Sequence, residues 1–558
     1  MREYLTFKKS NCKNCYKCIR HCPVKAIRFS AGQAHIINDE CILCGHCVVV
    51  CPQDAKQIAD ETEIVQVMLN DDAPVIASIA PSFAAYFEGV GFEAFARALK
   101  KLGFSSAEET AIGATFVKRE YEKQLKSHKY DVLITSCCPS VNLLIRKYYP
   151  KLLPYLSPVL SPMAAHSKDI KMRNPEAKTV FIGPCLSKKA EAEECSVDAV
   201  LTFEEISQMF ERAGVVPEQI MDSRKDSKAR LFPTEGGILK TMDITENDYT
   251  YFSVSGTDNC MSALRDIENG NVHKCFIEMS SCAGSCIGGP VMEKYKNAPV
   301  MHYQSVINYA GKSDFELAQA KDNEFEHAYT YIDMNTYTPS EAEITDTLQK
   351  MGKTKPEDEL NCGTCGYNSC REKAIAVIRG KADISMCLPF MMEKNERFSN
   401  TILNNSPNGI IVTNDDFEIQ QINSSAMEML NIKNESDVQG EQIVRIIDPT
   451  LFMDALYNGK IVKDKLDFYP EYNKYLEVSI VCDKKSHIII ALLRDVTEAQ
   501  QTKLKKEELG KKTIEVADQV VDRQMRIVQE IASLLGETAA DTKIALTKLK
   551  ETINDEGK

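Results

Sequence analysis

Hydrophobic residues in the first part of the chain form short runs separated by amphipathic stretches. The runs at 74–79, 132–134 and 179–182 have the length and apolar character of buried strands. Because they alternate with helical patterns, residues 58–335 are predicted to form α/β layers. Cysteines follow the second and third runs directly, at the strand ends where α/β folds place their sites.

A different pattern begins near residue 394. Two apolar runs, 409–413 and 419–422, flank Asn414-Asp415-Asp416 and predict a β-hairpin. A helical stretch at 426–430 follows, and two strand-like runs close the unit at 475–481 and 486–493. This order of elements predicts an α+β domain of sensor size, with bounds at 394 and 498.

The tail, residues 499–558, is charged and predicted to form C-terminal helices. Its apolar residues recur as a stripe along one face, and such a stripe buries against a partner helix, which favours a homodimer or another protein as partner. A solvated single helix is the alternative. Gln524 interrupts the stripe and Gly536 breaks it. The stripe residues recur at a near-heptad spacing: Ile514, Ala517, Val521, Val528, Ile531 and Leu535.

Length and charge exclude several classes of protein. With 558 residues the chain can bury several cores, so we expect several domains. A net charge of −13 argues against a nucleic-acid partner, which would need a basic face. No apolar run is long enough to span a bilayer, and cysteine motifs begin at Cys12, which leaves no room for a signal peptide. We therefore expect a cytoplasmic protein without a membrane partner.

The chain contains 21 cysteines, and two groups of them form matched runs, each closed by a proline. In this pattern the fourth cysteine of each run ligates the cluster of the other run. Residues 1–57 are therefore predicted to be a ferredoxin-like module with two 4Fe–4S clusters; zinc is the weaker alternative, because both runs are complete. The predicted ligand sets are Cys12, Cys15, Cys18 and Cys51 for one cluster, and Cys41, Cys44, Cys47 and Cys22 for the other.

A further group of cysteines lies between the α/β region and the sensor-sized domain. Cys362, Cys365 and Cys370, closed by Cys387-Leu388-Pro389, resemble a known small 4Fe–4S domain, again with zinc as the alternative. We assign this domain to residues 336–393. It is predicted to begin with a helix whose capping box is Thr338-Pro339-Ser340-Glu341, with proline at the first helical position.

The remaining group defines a candidate active site. Cys138, Cys185, Cys282 and Cys286 come from three loops that are distant in sequence, and three of them lie beside glycine or proline. Glycine lets the backbone approach a bulky inorganic group closely. Four such thiolates predict one enclosed cluster, with a plain electron relay as the alternative.

The sequence around these cysteines resembles the iron–iron hydrogenase family. The resemblance implies an H-cluster: a 4Fe–4S cube joined through a cysteine to a two-iron unit with carbonyl, cyanide and azadithiolate ligands. With the two clusters of residues 1–57 and the one of the Cys362 group, we expect three 4Fe–4S clusters outside this active site. The segments that carry the resemblance, in order, are Ala80-Pro81-Ser82, Thr135 to Pro139, Ser161-Pro162, Pro184 to Glu191, Thr234 to Gly237 and Glu278 to Gly289.

The resemblance also implies ligand roles. Cys138, Cys185 and Cys282 would hold the cube, and Cys286 would ligate the cube and bridge to the two-iron unit. Lys188 would donate a hydrogen bond to one cyanide.

Two further segments acquire roles in the same way. Pro81 and Ser82 would cradle the second cyanide. Cys137 would relay protons next to the bridgehead amine, and a buried, inert thiol is the alternative for this residue.

Several positions depart from the pattern of active family members. Gly183 and Ser280 stand where those members usually carry methionine, and the glycine run ends early at Gly288-Gly289-Pro290. The acidic stretch that leads protons to solvent is replaced by residues 118–122, in which only Glu122 is a plausible relic. Such changes alter the polarity around the two-iron unit and the access of protons to it. With these residues, the sequence resembles the sensory branch of the family.

Residues 398–498 resemble a PAS sensor domain, which leads to three functional hypotheses. The first is a sensory hydrogenase that interconverts dihydrogen with protons and electrons slowly, served by a redox carrier such as ferredoxin and signalling to a phosphatase or kinase. The second is an ordinary electron-exchanging hydrogenase, which Gly183 and Ser280 argue against. The third is a non-enzymatic protein with a cube and no two-iron unit, which Ser82 and Lys188 argue against. Under the first, we expect the Cys362 group to couple the active site to the sensor rather than to feed the active site.

Overall fold

The computed structural model describes residues 3–7, 11–30, 32–222, 227–243, 248–317, 324–459 and 461–555. The chain forms two compact units, Met1–Met391 and Met392–Lys558. Parallel sheets with helices occur in the first unit and an antiparallel sheet in the second. The predicted combination of α/β and α+β domains is therefore confirmed.

The N-terminal module consists of two antiparallel ribbons and two short helices. Strand β1 pairs with β4, and β2 pairs with β3. Gly45 precedes the second helix with φ +76°, and a Cβ at this position would overlap the ring of Pro290. Glycine therefore lets the module pack closely against the loop after Cys286. The elements are β1 (Leu5–Phe7), α1 (Lys17–Arg20), β2 (Ile27–Ser30), β3 (Gln33–Ile36), α2 (His46–Val49) and β4 (Lys56–Ile58).

Two parallel sheets form the centre of the first unit. One has the strand order β6-β5-β8-β9 and the other β10-β11-β7. The three runs predicted from the sequence are strands β5, β7 and β8, so those predictions are confirmed. The strands are β5 (Val75–Ile79), β6 (Ser106–Glu109), β7 (Val132–Ile134), β8 (Lys178–Gly183), β9 (Ala199–Thr202), β10 (Thr250–Ser255) and β11 (Cys275–Ser280).

Helices pack against these sheets and bury an apolar core on each of them. Several follow the carboxyl end of a strand directly, which brings their first residues to one edge of the sheet. The helices are α3 (Thr62–Leu69), α4 (Phe83–Tyr86), α5 (Phe92–Lys101), α6 (Ala111–Lys126), α7 (Pro139–Tyr148), α8 (Pro162–Arg173), α9 (Ser187–Glu193), α10 (Phe203–Ala213), α11 (Gly237–Thr241), α12 (Thr257–Glu268), α13 (Pro290–Tyr295) and α14 (Pro299–Tyr309).

The small cysteine domain contains α15 (Glu341–Lys350), α16 (Cys370–Ile378) and the start of α17 (Leu388–Asn404). The predicted capping box is two residues off: Ser340 caps α15 and pairs with Glu343, because Ser340 is the residue whose hydroxyl reaches the third helical N–H. Proline therefore lies outside the helix.

This small domain packs on the N-terminal module. Lys25 Nζ donates to the Gly366 carbonyl at 2.9 Å, and the Phe29 amide donates to the Lys381 carbonyl at 2.7 Å. The Lys381 ammonium also pairs with Glu40. The Cys362 group therefore lies beside the N-terminal module, a placement that chain order did not reveal, and its coupling to the sensor stays a prediction.

The second unit is an antiparallel sheet with the strand order β13-β12-β16-β15-β14. The predicted hairpin, helix and two closing strands are all present. The tail, predicted to be helical, forms one helix, α20, which continues through Gly536 because glycine lowers helix propensity by only about 1 kcal/mol. The elements are β12 (Gly409–Asn414), β13 (Ile419–Ile422), α18 (Ser424–Met429), α19 (Thr450–Tyr457), β14 (Val462–Tyr469), β15 (Lys474–Asp483), β16 (Ile488–Asp495) and α20 (Thr497–Asp555).

Across the part of the chain that the structure describes, no helix combines the length and the apolar character that a membrane span requires.

Candidate functional site

One cavity in the first unit collects the predicted active-site residues. Its volume is about 110 Å³, several times the roughly 10–15 Å³ that a single water needs. Loops after β5, β7, β8 and β11 converge on it, so that residues distant in sequence become neighbours. All eight predicted residues line it: Pro81, Ser82, Cys137, Cys138, Cys185, Lys188, Cys282 and Cys286.

The four candidate cube ligands influence one another electrostatically. Burial raises the pKa of the Cys282 thiol well above its usual range, and Cys138, Cys185 and Cys286 raise it further. Four thiols in a dry site can ionise together only beside a cationic group, which an iron–sulfur cube supplies. The donor set and the cavity volume therefore fit a cube. Among the described residues, no three Cys, His, Asp or Glu side chains are close enough to share one metal ion.

Two polar groups in the same cavity fit an anionic ligand. The Ser82 hydroxyl is fully buried and has no hydrogen-bond partner among the described residues, although buried polar groups are nearly always paired. Lys188 Nζ donates to Glu191 Oε2 at 2.6 Å and to the Cys137 carbonyl at 3.2 Å. Since an ammonium has three donors, these two bonds leave one N–H for a ligand.

Lys188 keeps its charge in this cavity. Burial opposes ionisation, but the Glu191 carboxylate outweighs burial and raises the pKa of the ammonium. Glu191 is held in turn by Ser161, whose hydroxyl donates to it at 3.0 Å. The predicted motif residue Ser161 therefore acts on the cavity through Glu191 and Lys188.

Cys137 is held by a tyrosine that the sequence did not single out. Tyr121 Oη lies 3.2 Å from Cys137 Sγ and accepts the Ser136 amide at 2.9 Å. Burial raises the pKa of Cys137 to about 12, against the opposing hydrogen bond from Tyr121 and the charge of Lys188. Cys137 is therefore a protonated thiol at neutral pH.

The predicted acidic relic, Glu122, is not next to Cys137. Its carboxylate accepts the amide of Asp243 at 2.7 Å. Residues 121 and 122 point in different directions because neighbouring positions on a helix lie about 100° apart. Tyr121, not Glu122, therefore contacts Cys137, and the interpretation of Glu122 as a remnant of a proton route stays a prediction.

Glu278 is a functional candidate that the structure reveals and for which the sequence predicted no role. Its carboxyl group lines the cavity from β11, whose six residues are all buried. Burial raises its pKa to about 7, although the Leu239 amide donates to it at 3.1 Å. A carboxyl group within a strand that is otherwise apolar was the available signal, since such a group is costly to bury without a purpose.

The thiols that lie near Cys18 and near Cys47 belong to the predicted crossed sets. Burial raises the pKa of Cys18, and the thiols of Cys51 and Cys12 increase it further, while Lys56 opposes them. In the second set, burial raises the pKa of Cys47 and its neighbours Cys44, Cys41 and Cys22 increase it further.

The second set borders the active-site cavity. Cys44 lines that cavity, and its thiol is among the groups that raise the pKa of Cys282. The last cysteine group is gathered separately around one small cavity, which Cys362, Cys365, Cys370 and Cys387 all line.

Comparisons with protein families agree with this arrangement. Residues 73–290 match the iron only hydrogenase large subunit, C-terminal domain, and residues 4–67 match a 4Fe-4S dicluster domain. An Fe-S cluster model matches residues 358–389 and a PAS domain model residues 397–461. The predicted resemblance is confirmed: the chain combines a hydrogenase-type domain with iron–sulfur segments and a PAS domain.

Known proteins are similar to the first unit. The periplasmic Fe hydrogenase large subunit of Nitratidesulfovibrio vulgaris is 25% identical over 401 residues, which cover 57% of this chain and 93% of that protein. Iron hydrogenase 1 of Clostridium pasteurianum is 26% identical over 282 residues, 38% of this chain and 49% of that one. A structure of an FeFe-hydrogenase HydA1 variant from Chlamydomonas reinhardtii covers 49% of this chain and 99% of its own, with 17% identity. The TM-score between that structure and this chain is 0.38.

Proposed function

We propose that this protein is a sensory iron–iron hydrogenase that slowly interconverts dihydrogen with protons and electrons. One observation carries the proposal: four thiols, the charged Lys188 and a Ser82 hydroxyl that has no partner among the described residues share one cavity. A cube alone needs only the thiols, so the two polar groups favour a cube joined to an anionic two-iron unit.

The protein's own groups would bind and orient that cofactor. Cys138, Cys185, Cys282 and Cys286 would hold it, with Lys188 and Ser82 donating to its cyanides. Once bound, the H-cluster supplies the cleavage and formation of dihydrogen.

Cys137 and Glu278 would move the proton. Cys137 stays protonated at neutral pH, so it can give a proton and regain it, while Tyr121 fixes the position of its sulfur. Glu278, with a pKa of about 7, gains and loses a proton at neutral pH, as a general acid or base should.

Electrons would pass through the N-terminal module. Cys44 borders both its own cluster site and the cavity that contains Cys282. The small domain packs on the same module. Cys365 of the small domain and Cys22 of the module are both close enough to Tyr367 to raise the pKa of its hydroxyl. A redox carrier such as ferredoxin would exchange electrons with one of these outer clusters.

The low rate is proposed from two substitutions next to the cofactor. A Cβ on Gly183 would lie 2.6 Å from the Phe181 ring, so methionine cannot replace this glycine without repacking. Ser280 places a hydroxyl 3.4 Å from the carbonyl of Cys282. Both changes alter the polarity and space around the site.

The proposal extends to the second unit. The PAS domain and helix α20 would report the redox state to a signalling phosphatase or kinase, with the exposed α20 stripe as a homodimer contact. A cytoplasmic location stays a prediction.

Loading the protein with the two-iron unit tests the proposal. Infrared spectra should then show carbonyl and cyanide bands, and dihydrogen oxidation should be measurable but well below that of dedicated hydrogenases. Absence of the bands would favour the non-enzymatic alternative, and a rate equal to dedicated enzymes would favour an ordinary hydrogenase. Hydrogen exchange of residues 398–555 with and without dihydrogen tests the sensory role, which predicts a difference that Cys387→Ser removes.

A further inference from the structure

A continuous set of hydrogen bonds leads away from the active-site cavity. Thr110 lines the cavity, and its Oγ1 lies 2.7 Å from Ser78 Oγ. Ser78 Oγ is 2.8 Å from His166 Nδ1, and His166 Nε2 is 3.3 Å from Glu108 Oε2. These four residues come from β5, β6, the start of α6 and α8.

The set runs from the cavity lining through buried residues to a solvent-exposed ion pair. Ser78, Thr110 and His166 are buried, with 2%, 5% and 0% of their surfaces exposed. The Glu108 side chain is 21% exposed and pairs with Arg173, whose side chain is half exposed. Each neighbouring pair lies within hydrogen-bonding distance, so no gap separates Thr110 from Glu108.

We propose that Thr110, Ser78, His166 and Glu108 form a proton route between the cavity and solvent. The inference rests on the proposed function, because it needs a proton-exchanging reaction in the cavity. It concerns a route distinct from Cys137 and Glu278, which lie on the other parallel sheet.

The charge on Glu108 sets the direction of the hydrogen bonds. Burial opposes its ionisation, but hydrogen bonds from His166 and Arg173 outweigh burial and lower its pKa to about 2. As a carboxylate, Glu108 accepts the Nε2–H of His166. In the tautomer that carries this Nε2 proton alone, Nδ1 can accept the Ser78 hydroxyl, whose oxygen accepts the Thr110 hydroxyl.

One proton enters and one leaves in each passage. A proton arriving at Thr110 Oγ1 releases that hydroxyl's own proton to Ser78, and Ser78 passes its proton to His166 Nδ1. The imidazolium then releases its Nε2 proton toward Glu108 and the adjacent solvent. Rotation of the two hydroxyls and a return of the ring to its first tautomer reset the route, and no electron moves along it.

Local packing favours this geometry over an incidental contact. Thr110 precedes α6 without capping it through its side chain, so its hydroxyl remains for Ser78. Gly113 in the first turn of α6 faces α8, where a Cβ would lie 2.7 Å from the Cβ of His166. The absence of a side chain at Gly113 lets the two helices approach and places the imidazole against β5.

On the Tyr121 side of Cys137, hydrogen bonds among the described residues lead to a backbone carbonyl. Tyr121 Oη contacts Ser136, and the Ser136 hydroxyl donates to the Val159 carbonyl at 2.6 Å. A carbonyl has no proton to pass on. The contrast explains why a second route from the same cavity would be useful.

Substitution of Thr110 tests the route in the loaded enzyme. Thr110→Val keeps the shape and removes the hydroxyl, and Thr110→Ser restores it. Ser167→Ala is the matched control, because Ser167 forms a buried hydroxyl pair with Thr179 on α8 and β8 but does not line the cavity. We expect Thr110→Val to lower dihydrogen oxidation at least about tenfold, within the contribution of proton-transfer groups, and to change the solvent isotope effect measured in H2O and D2O.

In the same experiment Thr110→Ser and Ser167→Ala should stay within about twofold of the wild type, since proton transfer through the route is retained in both. The route is refuted if Thr110→Val keeps both the wild-type rate and the wild-type isotope effect. A loss shared equally by Ser167→Ala would also refute it, because the effect would then be structural.

A second measurement uses the protein before the two-iron unit is added, so it does not depend on the proposed function. Nitrogen-15 NMR of labelled histidines, assigned through His166→Asn, should show the Nδ1 resonance of His166 shifting in Thr110→Val. The reason is that Ser78 loses the donor that polarises its own bond to the ring. An unchanged resonance would refute the proton route. If the loaded wild-type protein did not oxidise dihydrogen, the hydrogenase proposal would be refuted instead.

Discussion

The two parallel sheets contribute different chemistry to the same cavity. The three-stranded sheet supplies Cys137, Cys138 and Cys282, which are thiols, together with the carboxyl group of Glu278. The four-stranded sheet supplies the Ser82 and Thr110 hydroxyls and the Lys188 ammonium, with Cys185 as its only thiol among the described lining residues. The ferredoxin-like module contacts the thiol side through Cys44 and Cys282.

This difference indicates how one cavity can handle two charged species. Electrons need a short path between clusters. Two cysteine loops that lie close together provide such a path, because each loop holds a cluster. Protons need continuous hydrogen bonds, which the hydroxyls and the imidazole of the four-stranded side provide. The comparison predicts that substitutions on the thiol side affect the cofactor itself, and that substitutions on the hydroxyl side affect proton supply and ligand orientation.

The largest effect is expected on the thiol side, from Cys286→Ser. This one thiolate is asked to join the cube to the two-iron unit, so its loss should abolish two-iron binding and activity together. Infrared bands and dihydrogen oxidation measure the two results. Cys275→Ala, which removes a buried thiol elsewhere on the same sheet, should leave both unchanged. Normal turnover in Cys286→Ser would show that the proposed ligand is wrong.

Cys137→Ala should reduce turnover without loss of cofactor. The residue relays protons and ligates no iron in the proposal, and such groups contribute about 10²–10⁴-fold to rate. Dihydrogen oxidation should fall by that order while carbonyl and cyanide bands keep their intensity. Bands lost together with activity would make Cys137 a structural residue instead.

The thiols of the outer clusters could be predicted from sequence because their ligands follow short, strict spacings, whereas the roles of the active-site thiols, which are distant in sequence, depended on the family resemblance. The hydroxyl route could not be predicted, since Ser78, Thr110 and His166 meet only after β5 pairs with β6 and α8 packs on them. Strand β14 was missed for another reason. It is an edge strand whose residues are mostly exposed, so it carries charged side chains and no hydrophobic alternation.

Glu278→Gln tests the comparison further, because Glu278 lines the thiol side of the cavity and carries a carboxyl group instead of a thiol. A pKa of about 7 in the folded protein lies above the ordinary 4.5, so the protonated form is favoured by folding. Its contribution is therefore neutral below about pH 4.5. Stability falls as the pH rises from about 4.5 to about 7, by roughly 3 kcal/mol in total, and is constant above that range.

Thermal unfolding at pH 5 and pH 8 measures this effect. Glu278→Gln should be less sensitive to pH than the wild type, and dihydrogen oxidation should lose its pH dependence near 7. Glu122→Gln is the control, because that carboxylate contacts the Asp243 amide outside the cavity lining. Equal pH sensitivity in Glu278→Gln and the wild type would contradict the assigned role.

The smallest effect is expected on the hydroxyl side, from Ser82→Ala, and its sign should depend on the cofactor. Without the two-iron unit, the buried hydroxyl has no partner among the described residues, and an unsatisfied group costs about 1–3 kcal/mol. Alanine should therefore stabilise that form. After loading, the hydroxyl would bond a cyanide, so alanine should destabilise the protein by about 1 kcal/mol and shift a cyanide band. Ser167→Ala removes a paired hydroxyl and should destabilise both forms. The same sign for Ser82→Ala in both forms, with no band shift, would remove Ser82 from the cofactor's surroundings and leave Lys188 as the only cyanide donor in the proposal.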